Sequence, residues 1–400
     1  MTIGSVVERP AYPTKCDEAW RYAPHRTLAE LAFGPPVALG ANVPADLDEL
    51  VPDLDGPLVV VINGVVDTER SHLAGPTGVH LSTLSEQAGA NSSVVASHVG
   101  VTEPADAFVA LNIEYGVDGA VIRIDDKIAL DVPIHVVDIE IPDRTQNASC
   151  TGVVIDIGAG SDATIVETRI GVGTEFGGSN IRTTVTLRDG ATLEHILVQD
   201  VPSSQVHLSR VDVTQAADST YRARSFNLGG SYGRVAYDVR LDGPGAHADL
   251  SGLFFGFGEQ TLDQQINVIH AVENCTSRQS FRGVLDDEST GVFNGGIDVR
   301  PGADGTDAEQ SNDNLILSNR AEINTQPRLE ILADEVACKH GATVGQLDDT
   351  ALYYMRSRGI PVGDARRLLI NGFADQVVDD VGIDAVRSWI IHRLGHDTDA

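Results

Sequence analysis

Four hundred residues with an ordinary hydrophobic fraction of 42%, few aromatics (5%) and 40 glycines can bury a large core, and they favour many tight turns over a core of large rings. A formal net charge of −30 repels phosphate backbones and anionic lipid, which excludes nucleic acid and membrane surfaces as partners. Lysine occurs only at Lys15, Lys127 and Lys339. An acidic, lysine-poor surface is one way to stay hydrated in high salt and also occurs in proteins from GC-rich genomes; composition does not separate the two.

In chain order, residues 1–50 are rich in Pro and Ala. A short helix is predicted between Asp17 and Phe33, interrupted at Pro24 and stopped by Gly34-Pro35-Pro36. A strand follows over Leu58 to Val66, then loops and a helix around Leu84. No basic segment followed by an apolar run opens the chain, and no apolar run approaches the ~20 residues of a membrane span. Cys16, Cys150, Cys275 and Cys338 are far apart and form no CxxC pair, so a reduced, cytoplasmic protein is expected.

From about Ala107 the texture becomes β-prone, in short runs separated by Gly and Asp turns. The runs are Phe108–Ile113, Ala120–Ile124, Ile134–Ile139, Gly152–Ile157, Thr164–Ile170, Ile181–Leu187, Leu193–Val198, Val206–Val213, Arg234–Leu241 and Ile266–His270. No helical pattern alternates with them, which argues against a βαβ fold. Asp162-Ala163-Thr164-Ile165, Gly190-Ala191-Thr192-Leu193, Asp218-Ser219-Thr220-Tyr221 and Gly245-Ala246-His247-Ala248 form a weak repeat. With Ala163, Ala191, Ser219 and Ala246 as equivalents, the spacings are 28, 28 and 27. A near-constant period of turn and short strand suggests the stacked coils of a parallel β-solenoid, with a β-sandwich as competitor.

After about Asn314 helical patterns take over: Thr350 to Arg358, Gly363 to Phe373, and Asp384 to Leu394. The expected organisation is therefore mainly β. A partly helical N-terminal region (1–95) precedes a β-solenoid core (96–325), and a C-terminal helical domain (326–400) follows it.

Most catalytic patterns are missing or out of context. None of the lysines follows a glycine, so there is no phosphate-gripping P-loop. Gly229-Gly230-Ser231-Tyr232-Gly233 matches GxSxG, but a strand-like run follows where a nucleophile elbow needs a helix. Asp286-Asp287-Glu288 reads as a solvated turn, although paired carboxylates on a solenoid could serve a carbohydrate-active enzyme. His195, His207, His247 and His270 read as hydrogen-bonded ladder residues. Cys338 and His340 remain. Residues i and i+2 of an extended segment share a face, which places a thiol beside an imidazole, both suited to iron. Two donors do not complete a metal site, and a buried cysteine beside a surface histidine is the structural alternative.

Cys338-Lys339-His340-Gly341-Ala342-Thr343-Val344-Gly345 resembles the Cys-x-His-Gly-Ala-Thr-Val-Gly segment of SufD-type members of the SufB/SufD family, which serves iron–sulfur cluster assembly in the SUF system. Tyr353-Tyr354-Met355-Arg356-Ser357-Arg358-Gly359-Ile360 continues the likeness. Upstream, Phe281-Arg282-Gly283, Val292-Phe293-Asn294-Gly295-Gly296 and Trp20-Arg21-Tyr22 are similar to further family motifs. One departure is Asp313, where the family pattern calls for a basic residue. The resemblance implies a right-handed parallel β-helix flanked by helical regions, acting as a non-catalytic scaffold. It further implies pairing with a SufB-like chain, docking of a SufC-like ABC-type ATPase that supplies ATP hydrolysis, and a transient iron–sulfur cluster at the interface with SufB. No cofactor would be stably bound, and a homodimer could form in isolation. By position, His340 matches the interface histidine and Cys338 its accompanying cysteine. Leu352, Tyr353, Met355, Arg358 and Gly359 fall on the ATPase-docking side.

Overall fold

The computed structural model describes residues 9–36, 50–90, 92–142 and 147–396. Near the N-terminus a single 3₁₀ turn (Glu18–Trp20) and helix α1 (His25–Ala29) stand where one broken helix was expected. The predicted strand at Leu58 is a hairpin, β1 (Leu58–Ile62) and β2 (Val65–Val66), folded at Asn63-Gly64, both of which have positive φ. Strand β3 (Val79–Thr83) leads into α2 (Leu84–Gly89). Thr83 caps this helix in a reciprocal box with Glu86, and α3 (Ala96–Val99) follows.

The run Phe108–Ile113, expected as a strand, is a helix: α4 (Ala107–Tyr115). Asp106 caps it, accepting hydrogen bonds from the backbone N–H groups of Phe108 and Val109. Every residue from Ala107 to Ile113 is buried. A helix covered on all sides has no polar face, so its sequence carries no 3.6-residue period to distinguish it from a buried strand.

Strands β4 to β19 then follow one another with no helix between them. They are β4 (Gly119–Ile124), β5 (Ile134–Glu140), β6 (Ala148–Ile157), β7 (Asp162–Gly171), β8 (Gly177–Leu187), β9 (Thr192–Asp200), β10 (Gln205–Gln215) and β11 (Thr220–Asn227). Next come β12 (Tyr232–Leu241), β13 (His247–Gly256), β14 (Thr261–His270), β15 (Thr276–Leu285), β16 (Thr290–Val299), β17 (Asp307–Ile316), β18 (Glu322–Ile331) and β19 (Ala337–Gly345). Successive strands alternate between two sheets. One runs β19-β17-β15-β13-β11-β9-β7-β5-β1-β2, and the other β18-β16-β14-β12-β10-β8-β6-β4-β3. Each strand from β4 onward pairs in parallel with the strand two places away, so the chain winds as a β-solenoid. The stacking continues past residue 325 to Gly345.

The period has a local cause. Gly160, Gly190, Asp218, Gly245, Asn274 and Gly305 all have positive φ. These residue types tolerate the left-handed corner at which the chain turns into the next strand. The residue after each one, Ser161, Ala191, Ser219, Ala246, Cys275 and Thr306, is small and at most 1% exposed. The register Thr192, Thr220, His247, Thr276, Asp307, Ala337 gives steps of 28, 27, 29, 31 and 30 residues. Asp162 pairs with Thr192, so Ser161 rather than Ala163 is the equivalent of Ala191. The sequence repeat was two residues out at its first step.

Helices α5 (Asp349–Ser357), α6 (Val362–Val378) and α7 (Asp384–His396) close the described chain. Ile370, Ala374, Val377, Val378, Val386 and Ile390 pack on the outward residues of the ten-stranded sheet, among them Val198, Phe226, Leu253 and Val284. Each such aliphatic, taken wholly out of water, is worth about 1.5–3 kcal/mol. This seam fixes α6 and α7 to the side of the solenoid, and α5 contacts α6 beyond it.

Candidate functional site

The last coil differs from all the others. Strands β6 to β16 are largely buried, whereas β18 has no buried residue and is half-buried to exposed, and β19 is mostly exposed along its length. Each is the terminal strand of its sheet, paired on one edge only among the described residues. Ile331, Leu332 and Val344 are exposed at this end, by 39%, 52% and 53%. An uncovered strand edge with exposed aliphatic side chains is a template for pairing with another chain.

Cys338 and His340 lie on β19, on the face that continues the solenoid interior. Cys338 stands beside Ala308 and His340 beside Gln310. Cys338 is half-buried against Ile297, Val299, Ala303 and Ala308. Burial pushes its thiol above the usual cysteine range, the Ala308 backbone hydrogen bond partly opposes this, and the nearby Asp307 charge adds to it. Lys339 is on the opposite face, where it pairs with Glu309 at 2.9 Å. His340 is exposed. Asp313, the departure from the family pattern, accepts a hydrogen bond from Thr343 Oγ1 at 2.5 Å and lies 3.6 Å from Arg282, so it ties the last strand to the coil below. Among the described residues no three His, Cys, Asp or Glu side chains converge as a metal site. A metal held at Cys338 and His340 needs further donors from outside these residues.

The residues expected on the ATPase side form the α5 hairpin. Asp348 caps α5 by accepting from Thr350 N at 2.8 Å. Gly359, with φ 88°, ends it in the left-handed conformation. Leu352 and Met355 are half-buried, while Tyr353, Arg358 and Gly359 are exposed. Tyr353 is 73% exposed, and no residue of α5 is buried. Sequence reasoning did not single out Tyr354. It is 58% exposed, and Arg358 both lies over its ring and donates to its hydroxyl at 3.1 Å. The adjoining Val362 and Leu368 are also exposed. An apolar, aromatic helix face that does not contribute to the core is the usual form of a partner surface.

The other candidates are structural. Ser231 leads into β12 rather than a helix, and its hydroxyl donates to Gln205 O at 3.0 Å. Glu288 of the acidic turn pairs with Arg320, and Asp287 occupies a positive-φ corner. His207, His247 and His270 share hydrogen bonds with Ser179, Thr276 and Ser277. His195 is fully buried between Glu167 Oε1 and Tyr221 OH, at 2.8 Å from each. Cys275 fills a corner position, its thiol 3.3 Å from Gly243 O. Among the described residues no helix is long and apolar enough to cross a membrane.

Comparison with known proteins gives a consistent picture. Residues 141–373 match the model of the SUF system FeS cluster assembly SufBD core domain, and residues 6–136 match the SufBD protein N-terminal region. The chain is 27% identical over 406 aligned residues to the iron–sulfur cluster assembly protein SufD of Escherichia coli, covering 97% of this chain and 89% of that one. It is 35% identical to SufD of Bacillus subtilis over 153 residues, which is 38% of this chain and 35% of that protein. It is 34% identical to an iron–sulfur cluster assembly SufBD family protein of Mycobacterium leprae over 215 residues, 52% of this chain and 55% of the relative.

Proposed function

Because the chain belongs to the SufBD family of SUF iron–sulfur cluster assembly proteins, matching SufD along nearly its whole length, we propose that it is a cytoplasmic, non-catalytic scaffold subunit that completes a cluster-building site together with a second chain. The observation that carries this reading is the uncapped last coil. Two one-sided strands and exposed aliphatics surround a half-buried thiol and an exposed imidazole. Pairing there with a SufB-like chain would bury the edges of β18 and β19 and bring in the missing donors, so that a transient cluster forms at the junction and then leaves. His340 is the principal donor of this chain and Cys338 its companion. With its thiol raised, Cys338 would release its proton to water as iron binds rather than beforehand.

The α5 hairpin, with Tyr353, Leu352, Met355, Arg358 and Gly359, would dock a SufC-like ABC-type ATPase, the source of ATP hydrolysis. Its support is that this aromatic face is exposed while α6 and α7 are locked to the solenoid.

Purification of the tagged chain with co-expressed candidates tests the assembly: recovery of a SufB-like chain and an ABC-type ATPase is expected, and recovery of neither sinks the reading. His340→Ala should leave the complex intact and reduce reconstituted cluster absorbance at least about tenfold, as loss of a principal ligand does. Unchanged cluster yield would remove His340 from the site.

A further inference from the structure

Parallel stacking places Leu250, Gln279, Gln310 and His340 in one inward file of the ten-stranded sheet. Gln279 and Gln310 are each 1% exposed. Their amides run in one direction. Gln279 Nε2 donates to Gly296 O at 3.2 Å, and Gln310 Nε2 donates to Gln279 Oε1 at 3.1 Å. Gln310 Oε1 is then left buried with no hydrogen-bond partner among the described residues. The next side chain in the file is the His340 imidazole.

We infer that Gln310 is a positioning residue for His340, its amide oxygen receiving one ring N–H, and that Gln279 and Gly295 hold the amide in place. This deepens the proposed function, since it rests on His340 being a cluster donor. Neighbouring strands of a sheet are about 4.8 Å apart, so an inward imidazole one coil above lies within reach of the Gln310 oxygen. A buried carbonyl oxygen without a donor is unfavourable; the exposed His340 ring does not donate to it in this structure, and a turn of that ring toward Gln310 would supply the missing donor. Gly295 adds independent support from the facing sheet. A Cβ built there would lie 1.5 Å from Gln310 Nε2 and 2.7 Å from its Cδ, so the amide occupies space that only glycine leaves open. Residues from β15, β16 and β17 thus agree on a single amide placement.

The chemical consequence concerns which nitrogen is free. A neutral imidazole with one nitrogen donating to a carbonyl oxygen presents the other as a lone pair, in a fixed ring orientation. His340 is exposed, and its neighbour Gly341 offers no side chain to steady it. With the ring turned inward, the amide beneath would supply the restraint and orient the ligand without a partner or iron.

The test uses the full chain alone, labelled with ¹⁵N-histidine and held at about pH 8.5, where an ordinary imidazole is neutral. Long-range ¹H–¹⁵N spectra report tautomers, and His340 is assigned by its disappearance in His340→Asn. The wild-type chain should show one dominant tautomer at His340. Gln310→Met keeps length but loses the acceptor, and it should raise the minor tautomer roughly fivefold, the bias one ordinary hydrogen bond exerts. Gln310→Glu restores an acceptor and should restore the dominant form. Gly295→Ala, which displaces the amide, should resemble Gln310→Met and carries the test if that variant does not fold. A wild-type mixture, or an unchanged ratio in a folded Gln310→Met or Gly295→Ala chain, overturns the inference. The readout needs neither partner nor cluster. A tautomer shift combined with normal cluster yield in His340→Ala would sink the donor reading alone, and the reverse pattern would sink the amide contact alone.

Discussion

Glu167 and Asp138 share one polar interior and are driven in opposite directions. Burial alone would raise Glu167, but Arg169 and His195 outweigh it and hold the carboxyl at about 2. Arg169 Nη2 donates to it at 2.5 Å and Thr183 Oγ1 at 2.9 Å. A depressed folded pKa stabilises the fold fully above the unfolded glutamate value of about 4.3, and this contribution is lost as pH falls through about 2. Asp138 is the reverse case. Burial raises it to about 6 although Arg169 partly opposes, and Oδ2 has no hydrogen-bond partner among the described residues. Its favourable, protonated form is complete below about pH 4 and is lost as pH rises through about 6. Asp138→Asn should therefore raise the thermal midpoint at pH 8 and leave it nearly unchanged at pH 4, as scanning calorimetry would show; equal shifts at both would refute the assignment. Glu167→Gln should cost on the order of 3–5 kcal/mol in denaturant unfolding at pH 7, because it leaves the Arg169 charge buried without its carboxylate. A loss below about 1 kcal/mol would mean that the interior is wetter than its burial indicates.

Among the elements, the left-handed corners set the coil period. Asp218 occupies one with φ 55°. Asp218→Gly should change stability little, whereas Asp218→Val should cost about 1–2 kcal/mol, since a β-branched side chain resists that conformation. Equal effects in chemical unfolding would refute the corner argument. The α5 face makes a separate prediction. Tyr353→Ala should weaken docking of an ABC-type ATPase roughly thirtyfold, about 2 kcal/mol for an aromatic hot spot, and leave the thermal midpoint unchanged because the ring is outside the core. Element type was legible where inward and outward residues differ in polarity, as in β7 to β10. It was not legible in β17, whose inward residues include Gln310, Asn312 and Asn314. An interior built of amides erases the two-residue hydrophobic alternation, so β18 and β19 carry little strand signal and lie largely within the stretch expected as a helical domain. Helix α4 failed for the complementary reason, being buried on every side. The Cys338 and His340 pair stands out by its i, i+2 spacing, but only the resemblance to the family gives it an expected role. Gln279, Gln310 and Gly295 were not, because their relation to His340 depends on register across three strands rather than on nearness in sequence.

At the scale of the molecule, a formal charge of −30 and an open sheet end act against each other. Two copies meeting end to end would satisfy strand edges and cover Leu332 and Val344, but would bring two strongly negative bodies together. Salt screens that repulsion, with a Debye length of about 10 Å at 0.1 M and 3 Å at 1 M. The isolated chain should therefore sediment as a monomer in dilute buffer and self-associate as salt rises, and Val344→Glu should suppress the association. A salt-independent sedimentation profile would argue against this end as the contact. The unfinished coil also bears on how much of the chain a cell can safely make. A stacked fold contains no instruction to stop, so its last layer resembles the growth face of a crystal, ready to accept whatever matches its spacing. On the proposed pairing, termination is delegated to another molecule. Synthesis of this chain beyond the supply of that molecule would leave growth faces uncapped, and matched dosage of the two becomes a requirement written into the geometry of β18 and β19.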